Sequence, residues 1–497
     1  MNYRLVSQYL GVMLLLLAGA MGVCLGISYV LPSGTGFSDD RSLQGWGISV
    51  VITSLCGGAM VWMGRRRPAK SDLVLLRKDA AGTVGLGWVL CCLFGSLPYL
   101  FCEPRFRLSE ALFESVSGLT TTGATMITDI PALPHTILLW RSLTQWMGGM
   151  GILAMFVLLS ASLGAGGKSL FRTESSMHTN EVLGVTMRKG ARWLWQLYVS
   201  LTLICGLGLW ALGMTPFQAV NHGMTTVATG GFSTENTSIT SFGIGIQLWM
   251  MVFMFIGGFS FPLIVTLIRK RQWPLLKRHE ESWVFVGIVM VTFSVILAIR
   301  LAGSSWGPNW LEETVGTGFN VVSLATSAGF SVGDYDLWPP LSKGLLLFLM
   351  LIGGCAGSTT GGLKVSRLIL WLKMMRTEIR KPFRPHLVIY HKLNGRVVPP
   401  GAAGHLLVVL TSAVAISALG SFILIALEPD KSIDGSVSAV LACVSNVGPA
   451  FHEFGPTDHY GALSPPSMVL LSFLMILGRL EYVALLVLLS RQLWRPY

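Results

Sequence analysis

Four times along this chain a short, moderately apolar stretch is followed by small residues and a glycine, and lies between two longer apolar runs. The short stretches are Leu108–Leu119, Pro216–Val227, Trp310–Leu324 and Asp434–Val444. A helix needs about 20 residues to cross a hydrocarbon core roughly 30 Å thick, so none of these spans. Each is expected to enter and leave the membrane from one side, which lipid permits only where protein or a watery cavity covers the backbone.

The stretches belong to an internal repeat. TTTGAT at 120–125, ATGGFS at 228–233, ATSAGFS at 325–331 and SNVGPA at 445–450 align on Gly123, Gly231, Gly329 and Gly448, a period of about one hundred residues. A second glycine follows deep in each returning helix, at Gly148, Gly257, Gly353 and Gly478. Nine residues before the first glycines stand Glu114, His222 and Asn320, with Ala439 breaking the echo.

Composition places this repeat in a membrane. Hydrophobic residues make up 52% of the 497 positions and charged residues only 12%, about half the charged share of a soluble domain. The net charge of +12 is no nucleic-acid footprint, because Lys and Arg gather in the connections. They cluster at Arg65, Arg66, Arg67, Lys70, Arg77 and Lys78; at Lys168, Arg172, Arg188, Lys189 and Arg192; at Arg269, Lys270, Arg271, Lys277 and Arg278; and from Lys373 to Arg396. Positive residues mark the cytoplasmic side, so five excursions give ten crossing helices with both termini inside. The eight cysteines lie mostly in or beside apolar runs, with neither metal-ligand spacing nor a disulfide framework. No catalytic constellation stands out, which argues against an enzyme.

The expected fold is therefore an all-α polytopic membrane protein: four tandem helix–re-entrant–helix repeats around a pseudo-fourfold pore, after an N-terminal helix pair. The division reads 1–70 for the pair, 71–165 for repeat 1, 166–275 for repeat 2, 276–397 for repeat 3 with a glycine-rich break at 353–362, and 398–497 for repeat 4. Four non-helical strands around one axis can offer backbone carbonyls in place of the hydration shell of a potassium ion. The candidate filter is Thr121, Thr122 and Gly123; Thr229, Gly230 and Gly231; Ser327, Ala328 and Gly329; and Asn446, Val447 and Gly448. Glycine suits the fourth position because left-handed backbone angles cost it nothing. The short helices should turn their negative C-terminal ends toward the cation.

FESVSGLTTTGAT (113–125), RSLTQWMGGMGI (141–152), TTVATGGFST (225–234), IGGCAGSTTGGLKV (352–365), SNVGP (445–449) and LGRLEYVALLVLL (477–489) resemble the motifs of the TrkH family of bacterial Trk potassium-uptake systems, within the Trk/Ktr/HKT superfamily. The likeness covers essentially the whole chain. It implies potassium as the transported ion, a homodimer in the bacterial inner membrane, and a cytoplasmic TrkA-type NAD/ATP-binding regulatory subunit. No covalent cofactor is implied, and nucleotide enters only through that partner. In the plant HKT branch a serine at the first filter glycine goes with sodium selectivity, so Gly123 favours potassium.

The resemblance also implies a gate: an arginine matching Arg479 obstructing the pore, and an intramembrane loop matching Gly353, Gly354, Gly357, Gly361 and Gly362. A run so rich in glycine, with Ser358, Thr359 and Thr360, cannot stay an ordinary helix. Arg479, Glu481 and Lys364 are charges at membrane depth and functional candidates by default. The alternative for Arg479 is a structural ion pair with Glu481 or with an acid of another repeat. For Glu114 and His222 the choice lies between hydrogen bonds that anchor the re-entrant helices and proton coupling. A proton- or sodium-coupled symporter is the competing function.

Overall fold

The computed structural model describes residues 3–30, 39–64, 77–162, 187–303, 309–383, 391–398, 402–482, 488 and 490–494. The basic clusters at 65–70 and 168–172, with Arg384 and Arg495, lie outside these. The expected architecture is present: an N-terminal helix pair, then four units of outer helix, short re-entrant helix and inner helix.

The N-terminal pair, Tyr3–Val30 and Asp39–Gly64, packs through glycine. A Cβ on Gly11 would lie 2.6 Å from the Gly57 carbonyl, and one on Gly57 would lie 3.0 Å from the Gly11 carbonyl. Small residues that let backbones touch are the usual way apolar helices associate in lipid, where burial of apolar area drives nothing.

The outer helices are Arg77–Gly95, Met187–Ala211, Glu280–Ala302 and Ala402–Leu427. The re-entrant helices are Leu108–Leu119, Pro216–Val227, Trp310–Ala325 and Ile433–Val444. Their 12 to 16 residues at 1.5 Å each reach about 18–24 Å, short of a hydrocarbon core roughly 30 Å thick. Their starts are written locally: a capping box joins Thr215 to Gln218, with Pro216 in the first turn, and the Ser432 hydroxyl accepts from the Gly435 amide.

The inner helices depart from four alike spans. His135–Ser162 is continuous over 28 residues. The second is broken between Ile244–Gly258 and Phe261–Lys270, bent by 95°, where two glycines meet Pro262, which cannot donate to the helix. The third ends at Ile352 and resumes at Val365–Arg380. The fourth ends at Arg479, with Glu481 and Tyr482 in left-handed conformations. Arg479 is thus the last residue of its helix and Glu481 lies outside it.

Among the described residues the packed core has two large clusters, one mainly of repeats 4 and 1 with the N-terminal pair, the other mainly of repeats 2 and 3, and a small third one at Val6 and Leu10. Inside the basic stretch after Val365–Arg380, Lys392–Leu393 and Arg396–Val397 form a two-residue hairpin over Asn394 and Gly395, both at positive φ as a type I′ turn requires.

Candidate ion pathway

Each re-entrant helix ends in the same way. In repeat 1 the Thr121 amide donates to the Gly118 carbonyl at 3.0 Å and the Thr122 amide to Ser117 at 2.9 Å; the pattern recurs at Thr229 and Gly230, at Ser327 and Ala328, and at Asn446 and Val447. This is the Schellman arrangement, which needs a left-handed residue just past the helix. Thr121, Thr229, Ser327 and Asn446 supply it, with φ between 49° and 53°. None is glycine, and for a β-branched threonine that conformation costs about 1–2 kcal/mol. Strain of this kind persists where surrounding structure imposes it, commonly at functional sites.

Two residues on, Gly123, Gly231, Gly329 and Gly448 are also left-handed, at φ 83°, 85°, 78° and 96°. Each faces the next repeat in turn. A Cβ on Gly123 would lie 2.2 Å from the Gly230 carbonyl oxygen, on Gly231 2.3 Å from that of Ala328, on Gly329 2.0 Å from that of Val447, and on Gly448 2.4 Å from that of Thr122. The four contacts close a ring in chain order, with the carbonyl before each filter glycine seated against the glycine of the preceding repeat. Any side chain there would displace backbone.

The second set of glycines seats these helix ends. A Cβ on Gly148 would meet the Leu119 carbonyl at 1.9 Å, and one on Gly478 the Val444 carbonyl at 1.9 Å. Gly353 differs: it is a left-handed break point whose Cβ would meet Gly361.

The residues nine before the glycines are anchors for the strands leaving the filter. Glu114 accepts from the Thr125 hydroxyl at 3.1 Å and pairs with Arg141 at 2.7 Å, both side chains essentially inaccessible. His222 Nε2 meets the Ser233 hydroxyl at 3.1 Å, and Asn320 bonds Val332 through both its amide nitrogen and oxygen. In repeat 4 the neighbour of Ala439 takes over: the Ser438 hydroxyl accepts from the Phe451 amide at 3.2 Å. Arg141 also donates to the Ser233 carbonyl and stacks 4.1 Å over the Phe232 ring, tying repeat 1 to repeat 2. Gln145 brackets Gly231 by donating to the Gly230 carbonyl and accepting from the Phe232 amide. Sequence reasoning passed over Arg141, Gln145 and Ser438, although the first two stand in the motif at 141–152.

Beneath the filter, residues 353–364 form a folded loop. The Leu363 and Lys364 amides return to the carbonyls of Leu351 and Ile352. Lys364 Nζ donates to the Thr360 carbonyl and to its hydroxyl at 3.0 Å. The Glu281 carboxylate, buried at the start of the third outer helix, accepts from the Ala356 amide at 2.6 Å and the Ser366 amide at 3.2 Å. The tip reaches the base of three filter strands. The Thr359 hydroxyl lies 3.2 Å from that of Thr229, the Gly361 amide donates to the Ser327 hydroxyl at 2.6 Å, and a Cβ on Gly361 would meet the Ser445 carbonyl at 2.2 Å.

Arg479 completes the underside. Its side chain is buried and donates to the Thr359 carbonyl at 3.1 Å and the Gly148 carbonyl at 3.4 Å. Glu481 pairs with Arg367 on the resumed third inner helix, so it is not the partner of Arg479. The four candidate filter segments thus lie against one another, the loop tip contacts their bases, and Arg479 contacts the loop tip. Beyond the ring of glycines a cavity of about 60 Å³ opens over Gly123, Gly231 and Gly329, lined also by Glu235 and Asp458.

The sequence matches the model of the TrkH family, described as cation transport protein, over residues 52–495. It is 33% identical to the Trk system potassium uptake protein TrkH of Salmonella typhimurium and 34% identical to that of Halomonas elongata, each alignment covering both chains in full. The crystal structure of the potassium transporter TrkH from Vibrio parahaemolyticus superposes with a TM-score of 0.87 at 30% identity, again over the whole of both chains.

Proposed function

The chain belongs to the TrkH family of cation transport proteins, and on that premise we propose that it takes up potassium across a bacterial inner membrane through the ring of four filter strands. The observation that carries this reading is the closed ring in which the carbonyls of Thr122, Gly230, Ala328 and Val447 each abut the filter glycine of the preceding repeat. Carbonyl oxygens held that closely around an axis replace the hydration shell of a dehydrated cation. Three re-entrant helices of 12 residues and one of 16 point their C-terminal ends at the same place, adding partial negative charge without an ionised ring. The potassium named for the relatives supports the choice of ion.

The loop from Gly353 to Gly362 and Arg479 form the gate in this proposal, supported by the contacts of Thr359 and Gly361 at the filter base. The five-part division of the chain, a homodimeric assembly, inward-facing termini and a TrkA-type cytoplasmic regulator belong to the same proposal, the last supported by the Trk system named for the relatives. Glu114 and His222 already have structural partners, and no observation favours proton coupling over passive flow.

Tracer potassium uptake into liposomes, with and without excess sodium, tests the reading. Saturable uptake that resists sodium, and that loses this resistance in Gly123→Ser, is expected. Equal competition by sodium in the parent protein would overturn it.

A further inference from the structure

The four left-handed residues at the base of the filter are equivalent in backbone but not in the partners of their side chains. Thr121 Oγ1 and Asn446 Oδ1 are buried without a hydrogen-bond partner. The other two are engaged by the intramembrane loop. Ser327 Oγ accepts from the Gly361 amide at 2.6 Å, and the Thr229 hydroxyl lies 3.2 Å from that of Thr359. Two of these four side chains are thus held by the loop and two are not.

Two unsatisfied buried oxygens cost free energy unless something with positive charge visits them. A cation moving below the carbonyl ring would meet the loop at the Ser327 and Thr229 hydroxyls. An amide N–H presents the positive end of its dipole to its acceptor. Gly361 N–H and a cation can therefore share the Ser327 oxygen only against mutual repulsion, and the Arg479 guanidinium on Thr359 adds to that repulsion.

We propose that the Ser327 hydroxyl is a contested ligand, so that cation occupancy of the innermost filter layer and docking of the 353–364 loop are antagonistic. The inference rests on the potassium-pore reading and adds to it a direct coupling between filter and gate. Potassium at the lowest site loosens the loop, and a docked loop weakens the lowest site.

The loop carries its own reporter. Cys355 is fully buried between Gly354 and Ala356 and donates its backbone amide to Gly258, so its modification by a small thiol reagent measures undocking. Labelling of the purified full chain, followed at Cys355 by peptide-resolved mass spectrometry, is compared in choline chloride and in potassium chloride. Potassium is expected to speed Cys355 modification about fivefold, the shift that one hydrogen bond of ordinary net strength controls. Ser327→Ala is expected to label at the fast rate in both salts. Thr359→Val leaves every filter residue intact and should also raise the choline rate, which keeps the test open if the Ser327 variant fails to fold.

Equal native rates in the two salts, or a Ser327→Ala protein with the native rate and potassium response, would overturn the antagonism. Tracer uptake on the same preparations separates that failure from failure of the filter. Sodium-resistant uptake that Gly123→Ser abolishes, without any labelling response, removes the antagonism alone, whereas uptake that sodium blocks equally removes the filter beneath it.

Discussion

Arg479 Nη1 donates to the carbonyl of Thr359 at 3.1 Å, joining the end of the fourth inner helix to the tip of the loop that interrupts the third. The contact holds a cationic side chain beneath the candidate filter, while Glu481, two residues on, makes its ion pair with Arg367. Two like unit charges ~6 Å apart repel by about 3 kcal/mol at an effective dielectric near 20. Arg479→Ala should therefore raise unregulated rubidium uptake by about tenfold or more. Unchanged uptake in a well-folded variant would remove Arg479 from the barrier.

The filter glycines make a second prediction that discriminates among neighbours. At Gly448 an alanine would need φ near 96° and would place its Cβ 2.4 Å from the Thr122 carbonyl. At Gly213, also left-handed at φ 110°, a Cβ would meet nothing within 4 Å. Gly448→Ala should abolish potassium selectivity, because the carbonyl it displaces belongs to the ring. Gly213→Ala should cost only backbone strain, about 1–2 kcal/mol, and leave selectivity intact. Sodium competition curves for the two variants decide this.

Glu114 and Arg141 form a pair buried to 0% and 1% side-chain exposure. Removing one member of such a pair leaves an uncompensated charge, at a cost of about 3–5 kcal/mol. Glu114→Ala should then yield little folded protein, while Glu114→Gln combined with Arg141→Met should recover much of it, as measured by thermal melting in detergent. Recovery of stable protein without selective uptake is expected, because Arg141 also fixes Ser233 and Phe232 beyond the second filter. A stable Glu114→Ala protein would mean that the anchor is dispensable.

Much of this architecture could be read from the sequence, for a physical reason. A re-entrant helix must be short, must end in a left-handed residue and must approach a neighbouring backbone, and each demand writes small residues or glycine at a fixed offset. Hence Gly123, Gly231, Gly329 and Gly448 were visible as a set. What stayed hidden depends on pairing across repeats. Nothing local to Glu114 indicates that Arg141 is its partner 27 residues away, and nothing around Arg479 indicates that Arg367 claims Glu481. The break at residues 259–260 had a signal, glycines followed by Phe261 and Pro262, but the uninterrupted apolar run concealed it. Ser438 was missed because the repeat register points at Ala439, while the hydroxyl one residue earlier reaches the same strand.

Glu281 is an acid outside the repeat pattern that holds the 353–364 loop. Its carboxylate receives the amides of Ala356 and Ser366, one on each side of the loop tip. It therefore clasps the loop to the third outer helix, while Lys364 clasps the loop to itself through Thr360. Hydrogen bonds to an ionised acceptor contribute about 1.5–3 kcal/mol, against about 0.5–1.5 kcal/mol for a neutral one. Glu281→Gln keeps an acceptor oxygen and should weaken the clasp modestly, raising unregulated rubidium uptake about fivefold. Glu281→Ala removes both bonds and should raise it further, with Cys355 becoming labelled faster in the same order. If both variants kept native uptake and native labelling, the loop would hold its position without the clasp, and closure would rest on Arg479 and the filter-base contacts alone.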